Sequence, residues 1–163
     1  MRSVFQSLPS GLGNLLGGGV GVEGHVRLLV IDDDPDICEL LRVVSEHHPM
    51  IDFVAGVSSP EAAVSVSRQS SPDAILLDHH FLTAEPEPEG PTAVRRAMRG
   101  LSGLEAVEFL RAVAPGAVIA VYTGTTGLEE SVLNAGADMY LIKGPDARAA
   151  LDEVAAHVVR RRG

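Results

Sequence analysis

Hydrophobic residues fall in short blocks separated by polar, helix-compatible stretches from about residue 25 onward. VRLLVI (26–31) is a continuous apolar run of the kind that fills a strand buried on both faces. ICELLRVVSEHH follows, with apolar residues at 37, 40, 41 and 44, the spacing of a helix. Pro35 suits a first helical turn, and Pro49 ends the segment. IDFVAGV (51–57) reads as a second strand. SSPEAAVSVSRQ reads as a helix with Ser59 as N-cap and Pro60 in the first turn. DAILL predicts a third strand, GLEAVEFLRAVA a helix with apolar positions 104, 107, 110 and 113, and AVIAVYTG a fourth strand. TTGLEESVLNAG predicts a helix closed by Gly136, ADMYLIK a fifth strand, and PDARAALDEVAAHVVRRR a last helix. Strands alternating with helices argue for an α/β fold, a parallel sheet covered on both faces with right-handed crossovers.

Two stretches break the rhythm. Residues 1–24 are rich in Gly and Pro and read as a flexible leader rather than a signal peptide, leaving one domain over 25–163. Residues of about 83–102, rich in Pro and Glu and then basic, read as an insertion. Its bland reading is a solvated loop. A sharper one is a lid or docking element that brings Arg95, Arg96 and Arg99 near an acidic site.

Composition narrows the function. The 163 residues are 45% hydrophobic with no Trp, and the formal net charge is -9. An acidic domain gains nothing from a phosphate backbone, which argues against direct nucleic-acid binding. No apolar run is long enough to span a membrane. The single Cys38 precludes an internal disulfide and fits a reducing compartment, so a cytoplasmic location is expected. Cys38 itself reads as a small buried hydrophobe. His25, His47, His48 and His157 read as surface positions, and Arg160–Arg162 as a solvated helix end that complements the helix dipole.

The chemistry collects at strand ends. In a doubly wound sheet the carboxyl ends of all strands share one edge, where ligands bind. Asp32, Asp33 and Asp34 follow the first strand, Asp78 the third, Thr123 closes the fourth and Lys143 the fifth. Two carboxylates about 5 Å apart at an effective dielectric of about 20 repel by about 3 kcal/mol, so such a cluster takes up protons or binds a cation. Hard oxygen ligands suit Mg²⁺. A carboxylate beside Mg²⁺ can attack phosphorus and form an acyl phosphate, while an ammonium and a hydroxyl hold the phosphoryl oxygens. Singly, each residue has an ordinary structural reading: an aspartate cap, a strand threonine, a surface lysine. Their convergence is what carries the functional one.

LLVIDDDPDICELL, DAILLD, AVYTG and GADMYLIK together resemble the receiver domain of two-component response regulators, over about residues 26–160. The resemblance implies a flavodoxin-like five-stranded sheet of order 2-1-3-4-5. It implies Asp78 as phosphoacceptor, Asp33 as direct Mg²⁺ ligand, Asp32 supporting the metal through water, and a His80 carbonyl on the metal. Thr123 would be the switch hydroxyl, Lys143 the phosphate-binding amine and Tyr140 the switch aromatic. A histidine kinase or phosphotransfer protein would donate the phosphoryl group. A downstream effector protein would read the conformational change near the fourth helix, fifth strand and fifth helix, with homodimerisation left open. The chain would be a stand-alone phosphoacceptor that autodephosphorylates, not a classical enzyme.

The pattern also departs from the family. His79, His80, Phe81 and Leu82 follow the acceptor in place of Met-Pro, and Lys143-Gly144-Pro145 replaces Lys-Pro. Gly103 lies 25 positions after Asp78, about 15 more than usual. The two histidines read as solvated loop side chains or, alternatively, as metal ligands or participants in dephosphorylation. Two other functions compete. A haloacid-dehalogenase-type phosphatase would use Asp32 as nucleophile but leaves Asp78 unexplained. A phosphorylation-independent interaction module would leave the acids, Thr123 and Lys143 without a task.

Overall fold

A computed structural model describes residues 24–80 and 103–163. The expected leader, the expected insertion and Arg95, Arg96 and Arg99 lie outside the described residues, apart from Gly24. The element order is β1 (Val26–Ile31), α1 (Pro35–Glu46), β2 (Ile51–Val57), α2 (Pro60–Ser70), β3 (Ala74–Leu77), α3 (Gly103–Val113), β4 (Val118–Thr123), α4 (Glu129–Asn134), β5 (Met139–Ile142) and α5 (Ala147–Arg162). The five strands form one parallel sheet of order β2-β1-β3-β4-β5. The parallel sheet covered on both faces is what the residue pattern implies, and its flavodoxin-like order is what the receiver resemblance implies.

Strand alternation sends successive side chains to opposite faces. Val26, Leu28, Val30, Ala74, Leu76, Val118, Ala120, Tyr122 and Leu141 pack on one face, under Leu41 of α1 and Leu151, Val154 and Val158 of α5. Leu29, Ile31, Ile75, Leu77, Ile119 and Val121 pack on the other, under Ala63 of α2, Val107 and Leu110 of α3, and Val132 of α4.

Strand β2 changes phase midway. Its register with β1 shifts between Leu28 and Leu29, where Phe53 and then Ala55 are the partners, so Val54 is an extra residue. Ile51 and Phe53 therefore belong to the α1/α5 face, whereas Ala55 and Val57 belong to the opposite one. The shift turns Gly56 toward α1. A Cβ there would lie 2.9 Å from the Cβ of Cys38, so only glycine lets the helix approach this closely.

The helix starts follow the capping residues. The Asp34 side chain accepts from the Asp36 N–H, Ser59 from the Ala62 N–H and Asp146 from the Ala149 N–H. The helix expected from Thr125 begins only at Glu129, because Gly127 has a left-handed φ of +81° and breaks the turn.

Four further expectations need correction. Leu40 is exposed rather than core, since only Leu41 among the apolar residues of α1 is fully sequestered. Cys38 is half-buried. His48 is buried: its Nε2 lies 2.9 Å from Asp152 Oδ1, and its Nδ1 accepts from the Met50 N–H at 3.1 Å. The second bond fixes Nδ1 as the acceptor, so Nε2 carries the proton and donates to Asp152. Finally, Arg161 pairs with Asp138 at 3.3 Å and Arg162 with Asp73 at 2.7 Å. The end of α5 is thus pinned to the amino edge of the sheet, opposite the acidic rim. No described helix is long and apolar enough to cross a membrane.

Candidate functional site

Parity along the strands builds the site. Asp32 extends the series Leu28, Val30; Asp78 extends Ala74, Leu76; Lys143 extends Met139, Leu141. All three leave the sheet toward the α1/α5 face. Backbone bonds hold the strand ends level: Asp32 N–H donates to Val57 O (3.0 Å), Asp78 N–H to Ile31 O (2.8 Å) and Lys143 N–H to Thr123 O (2.8 Å).

The Lys143 ammonium donates to Asp32 Oδ2 at 2.6 Å and to Asp78 Oδ1 at 3.0 Å. Side-chain exposure is 3% for Asp32, 5% for Asp78 and 22% for Lys143, so the triad is largely shielded from solvent. The remaining carboxylate oxygens are held by backbone: Asp34 N–H donates to Asp32 Oδ1 (2.9 Å) and His80 N–H to Asp78 Oδ2 (3.1 Å).

Burial pushes the Asp32 carboxyl above the ordinary aspartate value, and hydrogen bonds from Lys143 and the Asp34 N–H offset this only in part. For Lys143 burial works the other way and would lower the ammonium. Its hydrogen bonds to Asp32 and Asp78 outweigh burial, and the group is held above the ordinary lysine value. The ammonium therefore stays charged and offsets one of the two buried carboxylates.

Asp33 is exposed beside this pair. One oxygen each from Asp32, Asp33 and Asp78 lie within 4.8 Å of one another, a spacing from which a divalent cation can be gripped. The all-oxygen donor set, with one exposed member, fits Mg²⁺, which keeps part of its water shell.

Thr123 is fully buried at the end of β4, and its Oγ1 accepts from the Thr125 N–H at 3.1 Å. Thr125 connects further. Its carbonyl accepts from Tyr140 Oη at 2.5 Å, and its Oγ1 lies 3.0 Å from His80 Nε2. The sequence-predicted residues Thr123, Tyr140 and His80 thus meet at one residue that the sequence reading did not single out. The His79 ring packs edge-on against His80, and burial holds His79 below the ordinary histidine value. All peptide bonds in the described residues are trans, Gly144–Pro145 included.

Two more neighbours were not anticipated. Tyr122 lies with its ring beneath the Lys143 ammonium, 5.8 Å from centroid to Nζ. The Cys38 thiol donates to Asp32 O at 3.6 Å, and burial raises it, so it stays protonated. Cys38 also lines a groove of about 240 Å³ between α1 and β2, with Asp32, Arg42, Phe53 and Gly56. Only parity could have found Tyr122: it stands two places beyond Ala120 on the same face as Lys143.

No family model matches the chain. Individual relatives do. The nitrate/nitrite response regulator protein homolog of Haemophilus influenzae is 30% identical over 135 residues, which is 82% of this chain and 57% of that protein. The chain thus spans little more than half of that relative's length. A CheY-like response regulator receiver domain protein from Methanospirillum hungatei superposes with a TM-score of 0.61 at 22% identity, covering 85% of this chain and 97% of that one. A response regulator protein from Burkholderia pseudomallei, solved with a phosphorylated aspartic acid, calcium ion and citrate, gives a TM-score of 0.58 at 21% identity, covering 85% and 73%. The sheet order, the carboxylate and lysine cluster at its rim and these relatives agree: the chain carries a receiver domain of the two-component response-regulator family.

Proposed function

We propose that Asp78 accepts a phosphoryl group from a phosphohistidine on a histidine kinase or phosphotransfer protein, and that the domain signals in the phosphorylated state by protein contact. The observation that carries this reading is the single ammonium of Lys143 shared by Asp32 and Asp78, with Asp33 alongside. An acceptor carboxylate needs its negative charge balanced before it meets a phosphoryl group, and it needs a cation ready for the oxygens that arrive.

Asp32, Asp33 and Asp78 would hold Mg²⁺, with the His80 carbonyl as a further ligand. Bound there, Mg²⁺ supplies charge neutralisation for the phosphoryl oxygens. In the transfer an Asp78 oxygen bonds to phosphorus as the phosphorus–nitrogen bond of the donor breaks. The donor imidazole nitrogen keeps that electron pair and takes up a proton, and Asp78 becomes an acyl phosphate. Lys143 gives up its contact to Asp78 Oδ1 and takes a phosphoryl oxygen instead. The Thr123 hydroxyl, at the end of β4 on the same rim, takes another. Tyr140, already tied to Thr125, follows that movement to the surface around α4, β5 and α5, which an effector protein or a second copy would read. Hydrolysis of the acyl phosphate resets the domain.

The Burkholderia relative with its phosphorylated aspartic acid supports this assignment by analogy. A phosphatase using Asp32 as nucleophile is disfavoured, since it leaves Asp78, which shares the same Lys143 ammonium, without a task. The test is transfer from a phosphorylated histidine phosphotransfer protein with Mg²⁺ or with EDTA. Label should move to the wild type only with Mg²⁺, and the product should be alkali-labile, as an acyl phosphate is. Transfer that ignores EDTA would contradict the metal assignment.

A further inference from the structure

The Lys143 ammonium has three N–H donors. Two are used, on Asp32 Oδ2 at 2.6 Å and Asp78 Oδ1 at 3.0 Å. Behind them stands the face of Tyr122, 5.8 Å from Nζ to ring centroid, inside the range of about 6 Å over which an aromatic quadrupole attracts a cation. The placement is built into the sheet. Tyr122 pairs with Leu141 across β4 and β5, which makes Lys143 its diagonal neighbour on the same face. The ring is almost fully buried, in the cluster that joins α1 and α5 to the sheet. It has little freedom to move, whereas a lysine has four rotatable bonds and three donors that water also satisfies.

We propose that Tyr122 is a positioning residue for the phosphoryl-transfer site: its ring is the platform that keeps the Lys143 ammonium aimed at Asp32 and Asp78. It acts through the lysine and touches neither the acceptor nor the phosphoryl group. The role rests on the phosphoacceptor reading of Asp78 for its use in transfer, but not for the placement of the ammonium. A ring that only filled the core would be replaceable by an aliphatic side chain with no effect on Lys143. A ring that acts by its electrons would not be.

The full chain is made with Tyr122→Phe, with Tyr122→Leu, and with pentafluorophenylalanine incorporated at position 122. The last keeps the shape of a phenyl ring but reverses its quadrupole, so it guards against a Leu variant that fails to fold. Two quantities are read. One is the exchange of the Lys143 ammonium protons with water, by ¹⁵N-resolved NMR in metal-free protein. The other is the rate of phosphorylation by phosphoramidate with Mg²⁺. Tyr122→Phe should match the wild type in both. The Leu and pentafluoro variants should exchange about two- to fivefold faster and be phosphorylated slower by a similar factor. Wild-type exchange in the pentafluoro variant, or equal damage by Phe, would overturn the platform. A wild type that exchanges as expected yet takes up no phosphoryl group would instead overturn the role in transfer, and with it the function proposed for Asp78.

Discussion

The ammonium of Lys143 bridges Asp32 and Asp78, 2.6 and 3.0 Å away, across 111 and 65 positions of sequence. Removing it leaves two shielded carboxylates facing each other. Lys143→Met should cost about 1–3 kcal/mol of stability in EDTA. In Mg²⁺ most of that loss should be recovered, because a dication replaces the missing charge, and Mg²⁺ should bind more tightly than to the wild type. Phosphorylation should nevertheless slow about tenfold or more. Urea melts with and without Mg²⁺, set beside phosphorylation rates, check the opposed signs. A variant weakened equally in both buffers would show that the lysine does not neutralise the metal site.

Protons and Mg²⁺ should compete at Asp32. Burial holds its carboxyl above the ordinary aspartate value, so the metal-free protein takes up a proton there while exposed aspartates are still charged. Mg²⁺ affinity should therefore begin to fall, as pH is lowered, above the usual aspartate range. The same raised value makes Asp32 favour the metal-free fold at low pH, a contribution lost as pH rises through the raised value. Calorimetric titration of Mg²⁺ at several pH values checks this, with proton release on binding growing as the pH approaches the raised value from above.

Gly56 tests the contact between α1 and β2. An added Cβ would sit 2.9 Å from Cys38 Cβ and 3.1 Å from its Sγ. Gly56→Ala should lower stability by about 1–3 kcal/mol. Adding Cys38→Ala should recover only part, since the nearer clash is with the Cβ that alanine keeps. Denaturant midpoints of the single and double variants decide it.

His48 should matter to the fold and not to the chemistry. It is buried, accepts from the Met50 N–H and donates to Asp152. His48→Leu strands the Met50 N–H and should cost about 1–3 kcal/mol. Asp152→Ala should cost under about 1 kcal/mol, because the Asp152 side chain is 58% exposed. Both variants should be phosphorylated at the wild-type rate at a temperature where they are folded.

Much of this was legible in the chain. The continuous apolar runs ending on Asp32, Asp78 and Thr123 reveal parallel strands, because a strand buried on both faces has no reason to alternate. Their order along the sheet came from the receiver resemblance rather than from periodicity. The acids, Thr123 and Lys143 were named from strand ends alone, and the fold brings the acids and the lysine into one cluster. What escaped depends on tertiary pairing. The extra residue at Val54 leaves IDFVAGV looking like any strand. His48 sits after a helix beside Pro49, where a solvated turn is the natural reading until α5 covers it. Arg161 and Arg162 find Asp138 and Asp73, which are distant in sequence. Tyr122 looked like an ordinary strand residue, and only the register of β4 on β5 brings it under Lys143.

Asp78 as acceptor is the claim on which the rest depends. Its most direct measurement is intact mass after incubation with Mg²⁺ and a small-molecule phosphodonor, for the wild type and for Asp78→Asn, whose side chain keeps the shape but not the nucleophilic carboxylate. The wild type should gain the mass of one phosphoryl group and the variant none. An equal gain in both, or none in the wild type while it binds Mg²⁺, would contradict the assignment.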